Sequence, residues 1–192
     1  MDEGRVLEIL RGCGALLEGH FELRSGLHSD RFFQCANVLQ HPPEAEELCR
    51  ALAQRLRAGM DAGGVQAQSV IAPALGGVVV GHEVARALGL RSIFVEKQEG
   101  RLALRRFEIE AGERFIVAED VVTRGGRVRE TVDIVEAAGG EVMAIGVLVD
   151  RSGGKADFGH PLASLLEMEP VTYEPGACPL CEKGLALVHP GS

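Results

Sequence analysis

The sequence has no tryptophan, a single tyrosine and only 4% aromatic residues, against a hydrophobic share of 46%. Large rings therefore do not fill its interior. Val, Leu, Ile and Ala must, and that composition suits helices packed on a parallel sheet. No apolar run reaches the roughly 18 residues of a membrane-spanning helix. The amino terminus, MDEGRVLEILRG, lacks the basic region and long apolar stretch of a secretory signal, so a cytoplasmic protein with no membrane partner is expected. Basic residues are in deficit, 20 Lys and Arg against 28 Asp and Glu for a net charge of −8, which argues against a general nucleic-acid surface. A local basic site for a polyanion remains open. There is no Walker GKS or GKT and no GxGxxG, which removes the two commonest nucleotide loops. The five cysteines (Cys13, Cys35, Cys49, Cys178, Cys181) are odd in number and form no disulfide framework. Cys178 and Cys181 do have metal-knuckle spacing, but no second CxxC supplies the other two ligands of a zinc site. His189 and Cys35 are the candidates to complete it. A redox pair or a reduced pair in a C-terminal turn are the other readings.

What the sequence contains is ordered. Residues 6–17 carry apolar side chains at helical spacing (Val6, Ile9, Leu10, Cys13, Leu16, Leu17), with a break at Gly19. Residues 19–34 read as two short strands around a Gly-containing turn. After Pro42-Pro43, residues 44–57 form an amphipathic helix with an acidic start. From about residue 65 strands and helices alternate. Strands are expected over 69–72, 92–96, 115–118 and 143–149, helices over 78–88 and 128–138, and a polar loop or hairpin over 97–106. This predicts an α/β fold, a doubly wound and mostly parallel sheet flanked by helices, with ligands beyond the C-terminal ends of the strands. The 192 residues suit one domain. Its core is expected over about 60–152, with a small cap from about 1–40 and 155–192.

The most informative stretch is Arg114 to Arg127, RFIVAEDVVTRGGR. An apolar strand ends in two adjacent carboxylates, then a Thr/Gly turn opens a helix. Backbone amides at such a turn, with the helix dipole behind them, suit a phosphate. Carboxylates beside it suit ribose hydroxyls, directly or through Mg²⁺. The run hydrophobic–acid–acid–hydrophobic–hydrophobic–Thr–x–Gly–Gly resembles the phosphoribosyl-diphosphate (PRPP) motif of type I phosphoribosyltransferases. Three other segments fall on the same sheet edge. Ala72 to Gly77 either holds a diphosphate on its amides or merely lets strand and helix pack closely. Asp150-Arg151 brings either a guanidinium fork able to pair bidentately with a carboxylate or carbonyl, or simply a surface arginine at a strand end. Arg24 to Phe33 adds a cation and a Phe pair. Phe32 and Phe33 point to opposite faces of a strand, so at most one stacks on a ligand and the other belongs to the core.

Within the broad family, Phe21 to Gly26 with Phe32-Phe33, the spacing to the later loops, Leu148 to Arg151 and the Cys-Pro-Leu-Cys tail are similar to orotate phosphoribosyltransferases over nearly the whole chain. The resemblance implies Mg²⁺-dependent conversion of orotate and PRPP into orotidine 5′-monophosphate and diphosphate, in pyrimidine synthesis. It implies that Glu119, Asp120, Val121, Val122, Thr123, Arg124, Gly125, Gly126 and Arg127 bind PRPP, with Leu75 and Gly76 in the diphosphate loop. Arg24 and Lys97 face the PRPP phosphates, and Arg101 is the next lid cation. Thr123, Arg151, Arg24 and one of Phe32 or Phe33 contact orotate. Glu119, Asp120 and Lys97 are the catalytic candidates, and Mg²⁺ is held mainly through PRPP, with Asp120 as the candidate protein ligand. The family's mobile lid reaches a neighbouring subunit's site, which implies a homodimer. Here residues 96–106 lack the family's Arg-Lys-x-x-Lys-x-His-Gly pattern, and Arg105 and Arg106 suit either a lid or a solvated hairpin. Arg124 and Arg127 stand where small or hydroxylic residues are more usual. A phosphoribosyltransferase for another base and a non-catalytic PRPP-binding regulator are the competing functions.

Overall fold

Both faces of a parallel sheet need cover, and the strand sequences show it by being apolar without alternation. In a computed structural model, which describes residues 1–23, 25–169 and 171–190, the chain order is as follows. Helix α1 (Glu3–Gly12) leads into strands β1 (Leu16–Glu22) and β2 (His28–Phe33), a short α2 (Ala36–Leu39) and a long α3 (Pro42–Ala62). Then come β3 (Ser69–Pro73), α4 (Gly76–Leu88), β4 (Arg91–Gln98), β5 (Arg101–Ala103), β6 (Arg114–Val122), α5 (Gly126–Ala137) and β7 (Glu141–Asp150). The chain ends with β8 (Leu162–Glu167), β9 (Thr172–Tyr173) and α6 (Pro179–Glu182).

Six strands form one sheet in the order β5-β4-β3-β6-β7-β8, parallel except for the antiparallel edge strand β5. Two cores lie on its two faces. Val70, Ile116, Ala118 and Leu148 pack with α1, α3 and α4, through Leu10, Leu48, Leu52, Leu56, Val80 and Val84. Ile71, Phe115, Val117, Ile145 and Val147 pack under α5, against Val128, Val132 and Val135. Neighbouring residues of β3 and β6 thus serve opposite cores, as the two-residue period of a strand requires. After β3 the chain adds β4 on one side, then returns to place β6 on the other. That reversal opens a crevice between the C-terminal ends of β3 and β6, where α4 and α5 start.

Several element boundaries differ from the sequence reading, while the hairpin, one of its two options over 97–106, is present. Helix α1 ends at Gly12, because Gly12 and Gly14 disfavour its continuation; Leu16 and Leu17 belong to β1 instead. The main sheet does not stop near residue 152: β8 joins it beside β7, so part of the presumed cap is core. The segment over 97–106 contains the β4–β5 hairpin, turning at Glu99 and Gly100. The smaller sheet is antiparallel, in the order β1-β2-β9, and sits apart from the six strands.

Candidate functional site

Strand β6 runs past its apolar section and ends among polar groups. Glu119 is buried and Asp120 half-buried, and both side chains converge on the first turn of α4. The backbone N–H of Asp120 donates to Glu119 Oε1 at 3.1 Å, and that of Val121 to Asp120 Oδ1 at 2.7 Å. Burial, reinforced by the Asp120 charge, pushes the Glu119 carboxyl well above the ordinary glutamate range, and burial also raises Asp120. Arg127 is the cation that opposes both shifts. Two buried acids this close are short of positive charge, so the pair favours a ligand that brings some.

A cavity of about 320 Å³ opens beside them, lined by residues 119–128. Gly125 forms the cap of α5 with φ +72°, where an L side chain is strained, and a Cβ there would stand 2.5 Å from the Phe158 ring. Among the described residues, neither α4 nor α5 has a side-chain cap on its first amides. Two uncapped helix starts therefore open on one crevice, the arrangement that suits two separate phosphate groups. Arg127 links them, since its Nη1 donates to the carbonyl oxygen of Ala74 at 3.2 Å. Leu75, between those loops, is 83% exposed, unusual for a large apolar side chain without a ligand or partner over it. Thr123 and Arg124 are exposed at the rim.

Arg151 arrives from the end of β7. Its backbone N–H donates to the Val122 carbonyl at 2.8 Å, which pins it beside the motif loop. The guanidinium stacks over Phe33, with Cζ 5.2 Å from the ring centroid, and its buried Nε has no hydrogen-bond partner among the described residues. Burial pulls its pKa below the ordinary arginine value. A half-buried guanidinium with an unsatisfied donor and no ion pair among the described residues is prepared for an incoming carboxylate or carbonyl. Phe33 is thus a core residue whose ring carries Arg151, while Phe32 is half-buried and packs against Phe21 at 5.9 Å between centroids. Arg24 lies outside the described residues.

The hairpin of β4 and β5 carries the two remaining cations. Val95 pairs with Pro73, the last residue of β3, so Lys97 projects two positions beyond that sheet edge. Lys97 and Arg101 are exposed and make no ion pair among the described residues. Arg105 and Arg106 instead both turn to Glu96, at 3.8 and 2.7 Å, which favours the solvated-hairpin reading for them. The hairpin is tied to the motif helix where the Leu102 N–H donates to Glu130 Oε1 at 2.7 Å.

Two features escaped the sequence reading. Phe158, under Gly125, comes from a loop with no periodic signal. His189 and Cys35, the sequence candidates to complete the Cys178/Cys181 pair, lie elsewhere: His189 pairs with Glu22 at 3.3 Å and Cys35 is buried in the core of the α1–α3 face. The cysteines face His20 and His28 instead. Two histidines flanking a hairpin turn, with a CxxC downstream, were the available signal. No helix among the described residues is long and apolar enough to cross a membrane.

Comparison with known proteins follows the same lines. The phosphoribosyl transferase domain model matches residues 35–168. The orotate phosphoribosyltransferase of Heliobacterium modesticaldum is 52% identical, over 100% of this chain and 99% of its own. That of Carboxydothermus hydrogenoformans is 51% identical over 93% of this chain and 92% of its own. Among solved structures, orotate phosphoribosyltransferase from Aeropyrum pernix superposes with a TM-score of 0.70 at 26% identity, covering 85% of this chain and 93% of that one. An adenine phosphoribosyltransferase from Thermoanaerobacter pseudethanolicus shares the fold, with a TM-score of 0.61 at 21% identity over 72% of this chain and 88% of its own. An acid pair and two open helix starts at the switch point of a type I phosphoribosyltransferase sheet, together with half-identical relatives matching end to end, place this chain in the orotate phosphoribosyltransferase family.

Proposed function

We propose that this protein transfers the 5-phosphoribosyl group of PRPP to orotate, giving orotidine 5′-monophosphate and diphosphate for pyrimidine synthesis in the cytoplasm. The observation that carries the reading is the convergence, at one sheet edge, of the Glu119–Asp120 pair, two uncapped helix starts and an Arg151 guanidinium with no ion pair among the described residues. The full-length relatives named for this activity support it.

The chemistry breaks the bond between ribose C1 and the diphosphate oxygen and forms one from C1 to a ring nitrogen of orotate. Both electrons of the broken bond leave with diphosphate, and the nucleophilic nitrogen supplies the new pair and loses its proton. Positive charge grows on the ribose ring while negative charge grows on the leaving group. Glu119 and Asp120, oriented by the amides of Asp120 and Val121, hold the ribose hydroxyls and favour the developing cation. Residues 123–127, at the start of α5, hold the 5-phosphate. Leu75, Gly76 and the start of α4 hold the diphosphate, and Arg127 keeps the two loops in register through Ala74. Arg151, held over Phe33, takes the orotate carboxylate or ring carbonyl, with Thr123 at its side.

The donor set at the crevice is two carboxylates, hard oxygen ligands of the kind that share Mg²⁺ with substrate phosphates. Asp120, with Glu119 behind it, would hold the ion, which supplies charge neutralisation on the departing diphosphate. Lys97 and Arg101, free of ion pairs among the described residues, serve as lid cations of a homodimer, excluding water from the reacting centre.

The direct test follows orotate's ultraviolet absorbance with purified protein, PRPP and Mg²⁺, with an EDTA control and with uracil, adenine and hypoxanthine as competing bases. Mg²⁺-dependent loss of orotate alone is expected. Turnover of a purine in its place, or PRPP binding with no diphosphate released, would overturn the reading.

A further inference from the structure

The tail has a problem of stability that its own side chains do not solve. From residue 171 to 190 the only buried residue is Cys178. A segment with no core of its own needs a staple, as small cores generally do. It nevertheless lies along the small sheet: β9 pairs with β2, and Val188 bridges β1, accepting from the Glu22 N–H at 3.0 Å and donating to the His20 carbonyl at 2.8 Å.

Four metal-ligating side chains meet at this junction. His20 and His28 come from the two strands of the hairpin, Cys178 and Cys181 from the tail, and their ligand atoms all lie within 4.8 Å of one another. His28 pairs with Glu22 across the hairpin, and His20 is two residues before Glu22, so both imidazoles project from one face. His20 Nε2 stands 2.9 Å from His28 Nδ1, Cys178 Sγ 3.6 Å and Cys181 Sγ 3.7 Å from His20 Nε2, and Cys181 Sγ 3.3 Å from His28 Nδ1. A tetrahedron with metal–nitrogen bonds of about 2.05 Å and metal–sulfur bonds of about 2.3 Å has nitrogen–nitrogen edges near ~3.4 Å and nitrogen–sulfur edges near ~3.6 Å. The observed edges cluster around those lengths, with the nitrogen pair slightly closed.

The outer contacts also suit a metal. His20 Nδ1 stands 2.9 Å from the Leu185 carbonyl, an acceptor, so Nδ1 carries the proton and Nε2 presents its lone pair inward. His20, His28 and Cys178 are buried and only Cys181 is exposed, so water reaches the site from one side alone.

We propose that His20, His28, Cys178 and Cys181 bind one structural zinc ion that staples the C-terminal tail to the β1–β2 hairpin. A closed Cys₂His₂ set with no open position is a structural rather than a catalytic site. The two thiols lose their protons to solvent as the ion binds, and no redox change is involved. The hairpin held in this way is the one that ends in Phe33, beneath Arg151, so the staple supports the orotate side of the pocket from a distance.

The test uses full-length protein without a histidine tag, purified in the absence of PRPP and Mg²⁺ and with its thiols kept reduced. One zinc per chain is expected by elemental analysis. Replacement by Co²⁺ should give the visible spectrum of a tetrahedral thiolate site. Cys181→Ser, at the exposed ligand, and His28→Ala should each lose the ion and the spectrum and lower the thermal midpoint, while the main sheet keeps its circular dichroism. Folded, reduced wild-type protein that holds no stoichiometric zinc and develops no cobalt spectrum would overturn the proposal. So would zinc that remains at full occupancy in both variants.

Discussion

Gly76 is glycine because Asp120 occupies its side-chain space: a Cβ there would stand 2.6 Å from Asp120 Oδ2. Gly77 stands in the same relation to Glu119, at 2.8 Å from Oε1. The first turn of α4, where we propose the diphosphate sits, is therefore the wall that sets where the acid pair points. Gly76→Ala should push the Asp120 carboxylate aside and lower turnover at least ~10-fold. Overpacking should cost about 1–3 kcal/mol of stability. Steady-state kinetics beside thermal melts will show it; unchanged kcat would mean that the position of Asp120 is not set by this contact.

The acid pair should make the free protein less stable as pH rises. Glu119 and Asp120 have folded-state pKa values above their unfolded ones, so the native state keeps protons that the unfolded state has released. Their destabilising effect is absent below the ordinary carboxylate range and grows as pH climbs towards the raised values. Glu119→Gln should remove much of that slope, raise the midpoint near neutrality by about 2–4 °C for each kcal/mol relieved, and depress turnover. Melts of both proteins from pH 5 to 8 test the sign, and parallel curves would count against it.

Arg151 offers a planar fork on Phe33 that lysine cannot reproduce. Arg151→Lys should raise the KM for orotate by roughly 10–150-fold, corresponding to about 1.5–3 kcal/mol of charge-assisted hydrogen bonding, with little change in the KM for PRPP. Since the guanidinium is desolvated and has no ion pair among the described residues, stability should change little. An effect on PRPP instead of orotate would move Arg151 to the phosphate side.

Lys97→Ala should lower kcat with little effect on folding, because its side chain is exposed. Mixing this variant with Arg151→Ala protein should restore part of the activity if the proposed homodimer forms, since hybrid dimers would then pair an intact lid with an intact pocket. Activity that stays at the level of the separate variants would place the lid in its own subunit, or give its role to Arg101.

Gly125→Ala meets two obstacles at once, a φ of +72° and the Phe158 ring 2.5 Å from the new Cβ. A loss of about 2–4 kcal/mol is expected, or roughly 5–15 °C in midpoint. Trimming Phe158 to Leu in the same chain should recover the packing part and leave the backbone part.

The parts of this protein legible without coordinates were those whose physics is local. The βα alternation, the acid pair at the end of β6 and the glycine turn after it lie on consecutive residues. Strand period, helix spacing and turn chemistry act on such neighbours directly. Even there the ends were blurred, as at Leu16 and Leu17, where helical spacing continued past the glycines that stop α1. Tertiary structure alone decided the relationships that join distant segments. Asp120 against Gly76, Arg151 on Phe33, and Cys178 beside His20 are separated by 44, 118 and 158 positions, respectively. No local preference encodes such distances: they follow from which strand lies beside which in the sheet, and from the return of the tail to the hairpin. The entry of β8 into the main sheet has the same origin. Its apolar residues are satisfied equally by a cap or by an edge strand, and only the exposed flank of β7 chose between them.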